Sequence, residues 1–242
     1  MPDHHGSVDM GLAKIVERQM RNWELARSQI PREGGPEGER ADRGVFDFVT
    51  IANDVGGGGG DIGHTLGERL HWPVFDREIL SAMAADDEVR ARMYRTMDER
   101  DLSWFEEMMR TFVQGASHKD DYFHRLTETV LCLARKSHAV FVGRASDLLL
   151  PKSKGLRVKV ICPHDRRVAS FAQRTGTTLQ DAAKQVDRIH GERAAFIWKH
   201  FQIDILDPTR FDLLINTSQF STVQAIELIL QAMKARGIAV RA

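Results

Sequence analysis

Cysteine is scarce in this chain, with Cys132 and Cys162 the only two among 242 residues. Both lie in apolar segments far apart in sequence, which suits buried thiols in a reducing compartment and excludes a disulfide framework or a cysteine-rich zinc site. An excess of charge of one sign is also missing. Lys plus Arg equals Asp plus Glu at 34 each, so the chain lacks the overall basic signature of a nucleic-acid-binding protein, and no nucleic-acid partner is expected. No apolar stretch approaches the roughly eighteen residues of a membrane span, and the opening MPDHHGSVDM has no apolar core of a secretory signal. The expectation is a soluble, cytoplasmic protein with no membrane partner, long enough for one α/β domain with additions.

Glycine, by contrast, is concentrated. From Val45 to Gly63 the sequence reads VFDFVTIANDVGGGGGDIG. Val45, Phe46, Phe48, Val49 and Ile51 form a short apolar run that reads as a buried strand, and it passes through Asn53 and Asp54 into five consecutive glycines. Each glycine loses more backbone entropy on folding than any other residue, so the run is worth ordering only where the backbone must approach something closely. An anion is the usual partner. Ile62, Leu66 and Leu70 then fall on one face of a helix with Asp61 in its first turn. Strand, glycine loop and helix N-terminus together predict a cradle of free N–H groups for phosphate.

The loop has two readings against the Walker pattern. Taken literally, Gly58 to Thr65 is G-x-x-x-x-G-H-T, with His64 where the lysine belongs. Counted from the strand end, Gly56 and Gly58 line the loop and Asp61 falls near the metal-binding hydroxyl position. Neither contains a lysine. The plain alternative is a flexible glycine linker after an edge strand.

The rest of the chain alternates helix with strand. Residues 8 to 30 carry helical periodicity through Leu12, Ile15, Val16, Met20, Trp23 and Leu25. Pro31 stops the helix, and the glycine- and charge-rich stretch to residue 44 reads as a linker. Residues 1–44 are thus expected to form an appendage, its helix docking on its own domain or on a second copy, ahead of a domain at 45–242. His4 and His5 invite a metal reading, yet two histidines in an unstructured start are more often nothing. After the loop, His71 to Phe75 reads as a strand, and Asp76 either caps the next helix or presents a carboxylate at a strand's ligand-gathering end.

Residues 86 to 137 read as helices whose methionine and aromatic stripe fits core or a subunit contact, hence a possible homodimer. HAVFVG ends in Gly143-Arg144, which aims a guanidinium into the crevice where a phosphate would sit. LRVKVIC and FDLLIN supply two more strands. Helix 178 to 203 carries Arg188 and Arg193, five apart and so on different faces. The closing helix shows an apolar face of Val223, Ile226, Ile229 and Leu230. Five strands alternating with helices imply an α/β fold with a parallel sheet covered on both sides.

The glycine loop with DIG, WPVFDREIL, FVGRASDLLLP, LRVKVICPHDRRV, DRIHGERAAF and DPTRFDLLINTS resemble, in order and spacing, the cytidylate kinase-like branch of the P-loop nucleoside monophosphate kinases. The likeness spans about residues 45 to 235. It implies a three-layer P-loop kinase fold with a five-stranded sheet of order 2-3-1-4-5, a helical insertion for the acceptor nucleotide, and a lid bearing arginines. It places Gly56, Gly57, Gly58, Gly59, Gly60 and Asp61 at the ATP phosphates, with Asp61 toward Mg²⁺. On the acceptor side it places Asp76, Arg144 and Asp147, with Arg144 orienting the acceptor phosphate. Arg188 and Arg193 fall in the lid. Family loops commonly read G-S-G-G-R-E, so Gly60 stands where an arginine is usual, and Asn53-Asp54 replaces an upstream Arg-Glu. The implied activity is transfer of the ATP γ-phosphoryl to CMP or dCMP. A nucleotide-binding regulator without turnover is the second reading, and a helical assembly scaffold the third.

Overall fold

The computed structural model describes residues 5–28, 44–113, 121–152 and 154–238. The expected linker and His4 lie outside them. Its centre is β1 (Phe48–Asn53), flanked by β3 (Ala139–Val142) and β4 (Leu156–Ile161), with β2 (Val74–Phe75) and β5 (Leu213–Asn216) at the edges. Every pairing is parallel, and the order is β2-β3-β1-β4-β5. Parallel neighbours need helical crossovers, which here are α2 (Gly59–Leu70), α3 (Arg77–Ala85), α4 (Asp87–Tyr94), α5 (Glu99–Val113), α6 (Asp121–Lys136), α7 (Ser146–Leu149), α8 (His164–Thr175) and α9 (Leu179–Phe201). α1 (His5–Ser28) precedes the sheet and α10 (Thr222–Ala235) follows it.

Alternation along β1 builds two cores. Val49 and Ile51 face one way and pack with Ile62, Leu66, Ile226 and Ile229 of α2 and α10. Phe48 faces the other way and joins Phe75, Phe141, Leu80, Leu126 and Leu149. The methionine and aromatic stripe enters this second core through Met93, Phe105 and Met109. So does α1: Val16, Met20 and Trp23 are buried in it, and Trp23 Nε1 donates to Leu133 O at 3.2 Å. Arg92 of α4 adds ion pairs to Glu17 and Glu24 of α1 at 2.8 and 3.0 Å. The helix is docked on its own chain.

Several elements differ from the sequence reading for local reasons. His71 adopts φ 55 and caps the C-terminus of α2, which leaves only Val74 and Phe75 to pair as β2. Asp86 accepts from Glu88 N and Val89 N and starts α4, while a turn at Arg95–Thr96 separates α4 from α5. Val223 is 68% exposed, so the buried face of α10 is Ala225, Ile226, Ile229, Leu230 and Met233 instead. Leu214 is 44% exposed on the β5 edge, where the sheet is not covered on both sides.

Candidate functional site

The strand ends decide where the site lies. β1, β3 and β2 finish side by side at Asn53, Val142 and Phe75, and the chain leaves each through a turn that opens on the same crevice. Asn53 leads into Asp54, whose carbonyl accepts from Gly57 N at 2.9 Å. Gly56 and Gly58 take φ +82 and +80, a left-handed backbone that only glycine adopts without strain. Gly58 is the N-cap and α2 begins at Gly59. The register counted from the strand end is therefore the correct one. His64 and Thr65 of the literal reading sit in the second turn of α2, away from the loop.

Close packing also requires these glycines. A Cβ on Gly56 would lie 2.4 Å from Arg167 O, and one on Gly59 would lie 2.3 Å from Asn53 Cβ. Thr217 Oγ1 holds Gly57 O at 3.0 Å from beyond β5. A Cβ on Gly58 or Gly60 meets nothing within 4 Å, so the mouth of the loop is open. The first N–H groups of α2 have no intrahelical acceptor and aim out of that mouth with the positive end of the helix dipole. The cradle fits a polyphosphate. Asp61 lies exposed in the first turn of α2, and among the described residues no group of three His, Cys, Asp or Glu assembles a metal site. One carboxylate beside a phosphate cradle fits Mg²⁺, which takes most of its ligands from phosphates and water.

Opposite the loop stands a wall of arginines. Gly143, Arg144 and Ala145 take φ 78, 54 and 55 in succession, and for the last two this stores roughly 1–2 kcal/mol each. The turn throws Arg144 back against α3, where Nε donates to Ser81 Oγ at 3.0 Å and the guanidinium lies 5.8 Å from the Tyr122 ring centroid. Burial lowers the Arg144 pKa, and neighbouring Arg77 adds to the effect. Asp76, just before Arg77, does two things. Oδ1 caps α3 by accepting from Glu78 N and Ile79 N, both at 2.9 Å, and Oδ2 lies 3.3 Å from His64 Nε2. That hydrogen bond raises the His64 pKa above 6.5. Desolvation pushes the Asp76 carboxyl up, but the His64 contact and the two N–H bonds win and hold it below 3.8.

The two arginines of α9 part company. Arg193 reaches inward and donates from Nη1 to Asn53 O at 2.8 Å, at the base of the glycine loop. Burial, with Arg77 and Arg144 nearby, brings its pKa down to about 10. Arg188 points outward, is 61% exposed and pairs with Glu192 at 2.6 Å. Helical phase is the reason, since five residues on a helix turn the side chain away by well over a right angle. Arg188 is not part of the assembled site in this structure. Asp147 is not either. Its carboxylate is 4% exposed and Oδ2 accepts from Arg210 Nη2 at 2.5 Å, a buried ion pair within the protein.

Two residues of the site escape a periodicity reading. Lys159 of β4 is nearly buried and pairs with Asp54 Oδ1 at 2.9 Å, pinning the start of the loop. Its signal was present in LRVKVIC, where Arg157 and Lys159 alternate with valines in a strand that is otherwise apolar. Arg157 is spent on carbonyls, donating to Asp147 O, Leu150 O and Pro151 O at 3.0, 2.9 and 2.7 Å. Arg77 is the second, and only the adjacency of β2 and β3 brings it beside Arg144.

The comparisons agree with this geometry. A cytidylate kinase of Archaeoglobus fulgidus is 26% identical over 194 residues, covering 79% of this chain and 97% of that one. A cytidylate kinase of Aeropyrum pernix is 36% identical over 95 residues, a match that spans only 54% of its length. An uncharacterized protein from Eubacterium ventriosum shares the fold with a TM-score of 0.64 at 17% identity, over 78% of this chain and 98% of its own. Residues 48–219 match the cytidylate kinase-like family, a span that takes in the glycine cradle, Arg77, Arg144 and α9, and the chain belongs to that family.

Proposed function

We propose that this protein transfers the γ-phosphoryl group of ATP to a nucleoside monophosphate, with CMP and dCMP the first acceptors to test. The observation that carries the reading is the glycine cradle with Arg193 bonded at its base and with Arg77 and Arg144 gathered at the ends of the neighbouring strands. Phosphoryl transfer asks the protein for position and charge, with little covalent work. An oxygen of the acceptor phosphate bonds to the γ-phosphorus as the bond to the β,γ-bridging oxygen breaks, giving ADP and a nucleoside diphosphate. The N–H groups of the loop hold the donor phosphates, and Arg144, braced by Ser81, orients the acceptor. Arg193, anchored on Asn53 O, carries positive charge to the base of the loop. Asp61 would hold Mg²⁺, directly or through water, and the bound ion would supply charge neutralisation for the donor phosphates. The cytoplasm supplies the ATP, and the free thiols Cys132 and Cys162 suit it.

One observation favours a second reading, a nucleotide-binding regulator without turnover. The loop has glycine at both 59 and 60 and so carries no cation of its own. Thermal shift with ATP, CMP, dCMP and UMP separates binding from its absence, and a coupled phosphoryl-transfer assay then separates kinase from regulator. Gly58→Val should abolish the ATP-induced shift, because valine does not adopt φ +80. An unchanged shift in that variant would reduce the loop to a linker.

A further inference from the structure

The first turn of α6 reaches both sides of the crevice through two neighbouring side chains. Tyr122 Oη lies 3.1 Å from Ser81 Oγ, and the Tyr122 ring lies 5.8 Å from the Arg144 guanidinium that Ser81 braces. Phe123, 5% exposed, meets α9 instead. Its ring stacks on His200 with centroids 4.1 Å apart and 10° between the planes, and it meets Phe196 and Phe201 at steeper angles, 6.2 and 5.6 Å away. Phe196 also leans on His200 at 4.6 Å. Arg193, Phe196 and His200 fall at i, i+3 and i+7, so they share one face of α9. The rings therefore grip the face from which Arg193 Nη1 reaches Asn53 O at 2.8 Å. One neutral carbonyl is a modest anchor for a desolvated guanidinium, and Arg77 and Arg144 repel it. Its position needs a second hold, and geometry-specific ring packing on the same helix face supplies one.

On the kinase reading, we propose that Phe123 is a positioning residue for phosphoryl transfer: its stack with His200 and Phe196 fixes the rotation of α9 and so holds Arg193 at the glycine loop. Phe123 touches no phosphate and acts through α9. Because Tyr122 and Phe123 are adjacent on one helical turn, Arg144 and Arg193 are both referred to the same point of the chain. That matters for transfer, where a misplacement of about 1 Å can lower the rate by about 100-fold. Leucine at 123 fills much of the same volume without a ring face, so it keeps the core while freeing α9 to turn.

The test compares wild type with Phe123→Leu, His200→Phe, His200→Ala, Arg193→Gln, the double variant Phe123→Leu/Arg193→Gln, and Val130→Ala, a control in the same core on α6. Phe123→Leu should lower kcat with CMP by about 10- to 100-fold, with a smaller loss of ATP affinity. His200→Ala should follow it, while His200→Phe keeps a ring and should keep most of the rate. Val130→Ala should lower the unfolding midpoint and leave kcat unchanged. In the double variant Phe123→Leu should add no loss to that of Arg193→Gln, because no guanidinium is left to position. In the ligand-free protein, NMR signals of the Arg193 Nη groups should be separate in wild type, where the bond to Asn53 O hinders rotation, and merged in Phe123→Leu. Signals that stay separate, an unchanged kcat in Phe123→Leu, an equal loss in Val130→Ala, or losses that multiply in the double variant overturn the assignment. A wild type that transfers no phosphoryl group overturns instead the kinase reading, and the NMR comparison then decides by itself whether Phe123 holds Arg193.

Discussion

Gly60 is the position at which a missing cation can be restored, and the structure sets the size of the effect. A Cβ there meets nothing within 4 Å, and its backbone lies in the first turn of α2 without a positive φ, so Gly60→Arg enters unstrained. Stability should hardly change. Removing a helical glycine gains up to about 1 kcal/mol, while a cation near a helix N-terminus loses about 0.3–1 kcal/mol against the dipole. Catalysis should change far more. One preorganised donor at developing charge is worth about 10²–10³ in kcat, and an added arginine on an unsupported side chain recovers less. A rise of about 10- to 100-fold in the transfer rate is expected, or about 1.4–2.7 kcal/mol of transition-state stabilisation. ATP affinity should rise by a smaller factor, because a cation aimed at the transferring group acts mainly on the transition state. Single-turnover rates for wild type, Gly60→Arg and His64→Ala decide it. His64 is turned to Asp76 on the acceptor wall, so His64→Ala should leave donor-side charge untouched. A wild type as fast as Gly60→Arg, with activity lost in His64→Ala, would refute the reasoning.

Trp23→Ala removes a fully buried indole that donates to Leu133 O, and should destabilise by about 3–5 kcal/mol, lowering the midpoint by roughly 10 °C for a chain this long. Leu25→Ala, on the exposed side of α1, should stay within about 0.5 kcal/mol, and equal effects in thermal unfolding would deny that α1 is docked. Asp147→Asn leaves Arg210 buried without its counter-charge and should cost about 3–5 kcal/mol, yet leave the CMP KM of the folded fraction unchanged. A raised KM there would return Asp147 to the substrate. The His64–Asp76 pair stabilises between two limits. His64 has a raised pKa, so its contribution is fully present below pH 6.5 and disappears as pH rises through the raised value. Asp76 has a lowered pKa, so its contribution is present above pH 3.8 and disappears as pH falls through the lowered value. Exposure of 45% and 28% keeps the effect small. In denaturant unfolding across pH 4–9, His64→Gln should therefore differ from wild type at acid pH and converge with it at alkaline pH, and a parallel offset would remove the pair from the account.

Local chemistry was legible in the sequence by itself. A run of apolar residues feeding five glycines and an amphipathic helix announces a strand, an anion cradle and a helix N-terminus, because each depends on residues a few positions apart. The alternation of such units was enough for a parallel α/β sheet, and the order and spacing of the motifs were enough for the kinase family. Which arginines face the cradle was another matter. Arg188 and Arg193 share one helix and look alike in sequence, yet helical phase sends one to solvent and the other to Asn53 O. Arg77 and Arg144 become neighbours only because β2 pairs with β3 in the sheet. Asp147 lies three residues from Arg144, but the short α7 carries it under the surface to Arg210. Trp23 sits in a helix that sequence sets apart by a linker, and its indole still fills the core beside α6. Periodicity reports which face of an element is apolar. What that face meets, and where a charged side chain ends, is set by strand order and packing across tens of residues, so the tertiary structure alone decided the composition of the site.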